Sequence, residues 1–266
     1  MYTLLRNKAR LLIISCVALI ITGCASGPTK DISLVSRTTD AISSKDGLFV
    51  QETKKSITKP DCSGECPALE INSLVFPGEP KLTELIDKAL TAMTAIDDDR
   101  TLPYANLKEF ESYYFDHAAP RDSVMLNAKT RYRTKYLTVI ELSSGIYMTG
   151  AAHGMTAVQF INWDNNSESV ITLESMLQPG KQRQFDAALN NAHAKWVEKN
   201  PDAQEDPDEW KRIWPYQPSD NVALTDMGLL VKYNSYEIAP YSSGQPEILI
   251  PYSQLKGIIK PEYLPR

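Results

Sequence analysis

The chain has 266 residues, 42% of them hydrophobic and 23% charged, a balance that excludes both a disordered tail and a polytopic membrane protein. Its 28 Lys and Arg against 33 Asp and Glu give a net charge of −5. With no basic excess to neutralise phosphates, no nucleic-acid partner is expected.

Arg6, Lys8 and Arg10 precede an apolar run at 11–21, and Thr22-Gly23-Cys24 follows. A basic start, an apolar stretch and small residues before a cleavage point are the parts of a secretory signal. Eleven residues rise only about 16 Å as a helix, well short of the ~30 Å hydrocarbon core, so a permanent span is not expected. Ile21-Thr22-Gly23-Cys24 resembles the bacterial lipobox, in which the cysteine is acylated once the signal is removed. That resemblance implies lipid attachment at Cys24, and several acyl chains would make the anchor effectively permanent. In lipoprotein sorting an aspartate after the cysteine retains the protein in the inner membrane; Ala25 therefore implies an outer-membrane protein facing the periplasm. Loss of residues 1–23 leaves 243 residues and removes three positive charges and no negative ones, taking the net charge to −8.

Of four cysteines, Cys16 leaves with the signal and Cys24 carries lipid, so Cys62 and Cys66 remain. In an oxidising compartment this pair reads as a disulfide across the Ser63-Gly64 turn. The competing readings are a redox dithiol, which would have two intervening residues at a helix start, and half of a zinc site, which would need two more ligands. No metal or cofactor is expected.

Residues 24–60 read as a polar tether that contributes an edge strand where it turns apolar near Phe49 and Val50. Residues 61–150 and 151–266 form two sequence regions of one compact unit. A strand is expected at 69–76, then a helix over 80–96 from the spacing of Leu82, Leu85, Ile86, Ala89, Leu90 and Met93. A second helix is capped by Asn106 with Glu109 completing a capping box. Strands are expected at 132–142, 146–148 and 156–163, with turns at Ser143-Ser144-Gly145 and Gly150-Ala151-Ala152-His153-Gly154. A helical turn at 173–177 and a helix carrying Phe185, Ala188, Leu189, Ala192 and Trp196 follow, then an acidic loop at 201–209. Strands at 221–225, 229–233 and 247–250 and a last helical turn at 253–255 close the chain. Runs of strands and helices without strict alternation predict an α+β fold, an antiparallel sheet with helices packed on it.

None of the three histidines sits in a triad or elbow context. His193 is expected to pack within its helix and His117 to sit at a helix C-terminus. His153 lies in a corner of small residues, where it either ties the loop to backbone carbonyls or meets a ligand. Asp164, Asn166 and Glu168 loosely resemble a calcium loop, but Ser169 and Ser175 occupy its glycine and closing-acid positions, so an Asx turn is expected. Trp210, Trp214 and Tyr216 suit either an aromatic platform or the core.

A wider resemblance rests on 150–154 with 171–177, and on a C-terminal run that includes Asp226-Met227-Gly228, Tyr236-Glu237-Ile238-Ala239-Pro240-Tyr241, Gly244 and Glu247 to Leu255. These stretches are similar to the extracytoplasmic domain shared by RsiV-type anti-sigma factors, which bind lysozyme, and the non-catalytic region of PdaC-type deacetylases. The family usually has Gly where Ala151 stands. The short segment before residue 11 leaves no room for a sigma-binding part, and the deacetylases' metal-binding histidine motif is absent from the sequence. The resemblance thus implies a non-catalytic binding module, with lysozyme or another cell-wall-associated protein as partner; the residues themselves offer His153, Trp210, Trp214 and Tyr216 as candidate contacts. The alternative is a cell-wall glycan hydrolase or deacetylase-like enzyme whose acid and base meet only on folding. Metabolic labelling with a fatty-acid analogue tests the anchor: the label is expected on the wild-type chain and absent from Cys24→Ala.

Overall fold

The computed structural model describes residues 49–59, 61–96 and 101–265; Cys24 and the signal segment lie outside these. Six strands form the larger sheet in chain order: β1 (Gln51–Thr58), β2 (Ala68–Val75), β3 (Ser123–Arg133), β4 (Leu137–Tyr147), β5 (Met155–Asp164) and β6 (Ser169–Val170). All neighbours are antiparallel except β2 and β3. A parallel pair needs a long crossover, and that connection carries α1 (Pro80–Ala92) and α2 (Leu107–His117). A smaller sheet of β7 (Val222–Leu224), β8 (Gly228–Lys232) and β9 (Glu247–Pro251) follows α3 (Leu173–Met176), α4 (Gln182–Val197), α5 (Pro201–Glu205) and α6 (Pro207–Ile213), and α7 (Tyr252–Leu255) comes last. The architecture is α+β. Among the described residues no helix is long and apolar enough to cross a membrane.

Local chemistry explains most boundaries. The Asn106 side chain accepts from Glu109 N at 2.9 Å, while a Glu109 oxygen accepts from Ala105 N, so both donors at the start of α2 are satisfied. Cys62 and Cys66 are joined, with Cα atoms 5.9 Å apart, and the disulfide pins the loop between β1 and β2. Asp164 Oδ1 accepts from the amides of Asn166 and Ser167, an Asx turn.

Four expectations are corrected. The predicted strand at 132–142 is the end of β3, a turn and the start of β4: Thr134 Oγ1 accepts from the amides of Tyr136 and Leu137 and so reverses the chain without glycine or proline. Ser143-Ser144-Gly145, predicted as a turn, runs through the middle of β4, where Ser144 is buried and Gly145 faces the Met125 methyl group. The acidic loop at 201–209 is instead two short helices, each with proline in its first turn and capped by the side chain of Asn200 or Asp206. The first helix also stops at Ala92, four residues before its predicted end.

β4 is buried on both faces. Ile140 and Leu142 pack with α1 and α2 in one core, while Leu137 and Val139 join Phe160, the small sheet and α4 in the other. Between the sheets runs a polar seam. Asn162 on β5 donates to Val222 O at 2.7 Å and accepts from Leu224 N at 2.8 Å. Asn221 accepts from Phe160 N and donates to Val158 O, and Asn234 accepts from Val158 N, so side-chain amides satisfy the β5 edge beyond β6. Beside them Glu141, 2% exposed, meets Lys232 at 2.9 Å and Lys129 at 3.1 Å, and Glu247 joins Lys232 to Arg131. Burial alone would raise the Glu141 pKa; the two lysines outweigh it and hold the carboxyl below its ordinary value.

Gly228 allows β8 and β9 to approach closely, because a Cβ there would lie 2.1 Å from Ile250 O. Gly228→Ala is expected to cost roughly 3 kcal/mol in urea denaturation, whereas Gly180→Ala, at φ 73° in open space, costs about 1 kcal/mol from backbone strain alone.

His193 is 6% exposed in α4, against Trp196 and Tyr216, and Nε2 finds no partner among the described residues. Burial pushes its pKa below the ordinary 6.5. The unfolded chain therefore takes up this proton first, so the stability contribution is complete above pH 6.5 and is lost as pH falls through the folded-state value. His193→Gln is expected to flatten the decline in Tm between pH 7 and pH 5; an unchanged slope would mean that other groups carry it.

Candidate functional site

The loop between β4 and β5, the loop between β8 and β9, and the end of α6 bring four aromatic side chains to one surface. His153 comes from the first. Its Nδ1 donates to Gly154 O at 2.9 Å, which fixes the tautomer and leaves Nε2 to accept from the Tyr236 hydroxyl at 3.1 Å. The imidazole also stacks on Tyr241, centroids 4.7 Å apart and planes 29° apart. Tyr236 lies 5.6 Å from Tyr241 and stacks on Trp214 at 6.2 Å. Tyr236 is 49% and Tyr241 36% exposed, and His153 is exposed beside them.

The loop that carries the tyrosines is held stiffly. Tyr236 has φ 71°, left-handed backbone that a bulky residue adopts only when its surroundings enforce it. The enforcement is visible: Glu237 accepts from both the backbone and side-chain nitrogens of Asn234, and Ser235 bonds Thr156 at 3.0 Å and Gly244 O at 3.0 Å. Two residues on, Ala239 is buried with Ala203 and Trp210, which ties the loop to α5 and α6.

The sequence candidates separate in space. His153 and Trp214 belong to this surface. Trp210 is buried, 6.4 Å from Trp196, and serves as core. Tyr216 is half-buried against His193, its hydroxyl donates to Asp186 O, and burial pushes its pKa up to about 12. Tyr236 and Tyr241 enter the site without having been singled out as contacts; their signal was the C-terminal run at 236–241. His117 ends α2 and lies outside the group.

Electrostatically the surface adjoins an acidic flank. Asp202, Glu205, Asp206, Asp208 and Glu209 are all exposed on α5, α6 and the residue between them, and Trp214 caps α6. Rigid aromatic faces beside exposed carboxylates suit recognition of a basic surface, with burial of the rings giving affinity and the charges aiding encounter. Among the described residues no group of three or more His, Cys, Asp and Glu side chains is placed to hold a metal ion.

Residues 174–253 match the model of a family described as a protein of unknown function, DUF3298, and this stretch includes Trp214, Tyr236 and Tyr241. No curated protein is matched by the chain. Among solved structures, a DUF3298 family protein from Pseudomonas aeruginosa PAO1 is 38% identical, with a TM-score of 0.76, over 82% of this chain and 97% of that one. A member of the same family from Bacteroides fragilis NCTC 9343 shares the fold at 20% identity and a TM-score of 0.62, over 81% of this chain and 94% of that one. By its identity to the Pseudomonas protein across nearly all of that protein's length, the chain belongs to the DUF3298 family.

Proposed function

We propose that the protein is a lipoprotein of the bacterial envelope, anchored through Cys24 in the outer membrane and facing the periplasm, where it works as a non-catalytic module that binds a basic protein. The observation that carries this reading is the rigid group of exposed His153, Tyr236 and Tyr241 with half-buried Trp214 beneath Tyr236, beside the acidic flank of α5 and α6. Both ring nitrogens of His153 are engaged, one by a carbonyl and one by a phenol, which favours a role in shaping the surface over one in moving protons. Lysozyme is the specific partner, supported by the resemblance of 150–154 and the C-terminal run to lysozyme-binding extracytoplasmic domains and by the net charge of −8 after processing. Titration of the processed chain with lysozyme is expected to show saturable binding that weakens as salt rises. Trp214→Ala and Tyr236→Ala should each weaken it by about tenfold or more, as truncation of a central aromatic contact does. Absence of saturable binding at low salt rejects lysozyme, and equal binding by both variants rejects this surface.

A further inference from the structure

β1 is the outermost strand of the large sheet. It pairs with β2 along Gln51–Thr58, and among the described residues no strand pairs with its other edge. Eight consecutive residues without proline or glycine thus present a row of outward amides and carbonyls, a template for a further strand unless the side chains forbid one. Lysine is a common guard of such edges, and β1 carries two. Lys55 is already engaged: it lies on the helix face of the sheet and pairs with Glu111 of α2. Glu52 and Lys54 lie on the opposite face, both exposed, beside Leu74 and Asn72 of β2, and neither has a charged partner among the described residues. The Thr53 hydroxyl is turned back to Ser73 O at 3.2 Å and leaves the edge clear.

The order of these charges restricts how β1 can pair with its own copy. Two copies joined into one continuous sheet by a two-fold axis normal to it keep their faces, so an antiparallel register sets odd residues against odd and even against even. Directly opposed like charges destabilise such a pair and opposite charges stabilise it. A register centred on Glu52, Lys54 or Lys55 sets that residue against itself, and one centred on Ser56 sets Lys54 against Thr58 and leaves Glu52 without a charged partner. A register centred on Thr53 avoids both faults. In it Glu52 of each copy faces Lys54 of the other, Gln51 faces Lys55, and the exposed ring of Phe49 meets half-buried Ile57 at both ends.

We propose that the chain forms a two-fold dimer through the open edge of β1, antiparallel and centred on Thr53, so that the two large sheets become one. The contact is mostly main-chain hydrogen bonding at the rim of the sheet, small against the roughly 1,600 Å² of a standard interface, so a dissociation constant on the order of 10–100 µM is expected. β1 and β5 lie on opposite sides of the sheet centre, and the dimer is independent of any partner bound around Tyr236. Sedimentation velocity of the processed chain from about 1 to 500 µM, a range that brackets this affinity, is the test. A reversible monomer–dimer equilibrium is expected. Glu52→Lys and Lys54→Glu each set like charges opposite one another twice and should weaken the dimer about tenfold, whereas the double variant, in which the charges are exchanged, should return to within about threefold of wild type. Trp214→Ala should dimerise as wild type does. A chain that stays monomeric throughout, as it would if another segment took the edge, overturns the proposal, as does a dimer that both single reversals leave intact or that the exchanged pair fails to restore.

Discussion

The structure depends on how the open edge of β5 is closed. β6 pairs with only Trp163 and Asp164, and the Asn162 carbonyl accepts from Ile171 N, which leaves the outward-facing groups of Val158 and Phe160 toward a neighbour that is not a strand of the same sheet. Unsatisfied, each such group would cost about 1–3 kcal/mol on burial. Asn221 and Asn234 supply to this edge what a strand would have supplied, and Asn162, on β5 itself, does the same for the backbone of β7 at Val222 and Leu224. Side-chain amides carry both donor and acceptor on one rigid plane, so they can splice two sheets whose strands do not run in register. The buried pairing of Glu141 with Lys232 lies in the same seam. A buried ion pair is weak evidence for stability, but removal of one partner leaves a charge that the core cannot accommodate. The seam therefore specifies where the small sheet sits more than it strengthens it.

That placement governs the aromatic surface. Tyr236 and Tyr241 belong to the connection between β8 and β9, whereas His153 belongs to the hairpin between β4 and β5 in the other sheet. The bond from Tyr236 to His153 spans 83 residues of sequence and crosses from one sheet to the other. Asn234 stands at the junction: its oxygen holds Val158 of the large sheet while its nitrogens hold Glu237, which shapes the turn that carries Tyr236. Strain at Tyr236 is thus maintained by the same residue that joins the sheets, and the surface is preorganised without a ligand.

The sequence made the local features legible. Asn106 with Glu109, the Cys62–Cys66 pair, the apolar stripe of α1 and the three short strands of the small sheet are each determined by neighbours a few residues away. The errors share one cause. Thr134 makes a turn through its hydroxyl, Ser144 is buried within β4 and Gly145 continues the strand beside it, and Asn200-Pro201 and Asp206-Pro207 start helices inside what composition marks as a loop. In each case the residue type is compatible with two roles, and tertiary packing selects one. The site shows the same limit. Trp210 and Trp214 have helical spacing, yet α6 ends at Ile213 and Trp214 leaves helical geometry at φ −118°, ψ 64°; Trp210 is fully buried, while Trp214 is half-buried against the same cluster and stacks on exposed Tyr236. The asparagine seam could not be read at all, because Asn in an isolated sequence points first to turns.

The two features proposed for recognition would act over different distances. The carboxylates of α5 and α6 extend their influence about one Debye length, near 8 Å at physiological ionic strength, so they would bias the approach of the basic partner proposed above, and less so as salt rises. The rings of His153, Trp214, Tyr236 and Tyr241 act only on contact, by excluding water from apolar faces whose positions are already fixed. Charge should therefore govern the association rate, and the rings the lifetime of the complex.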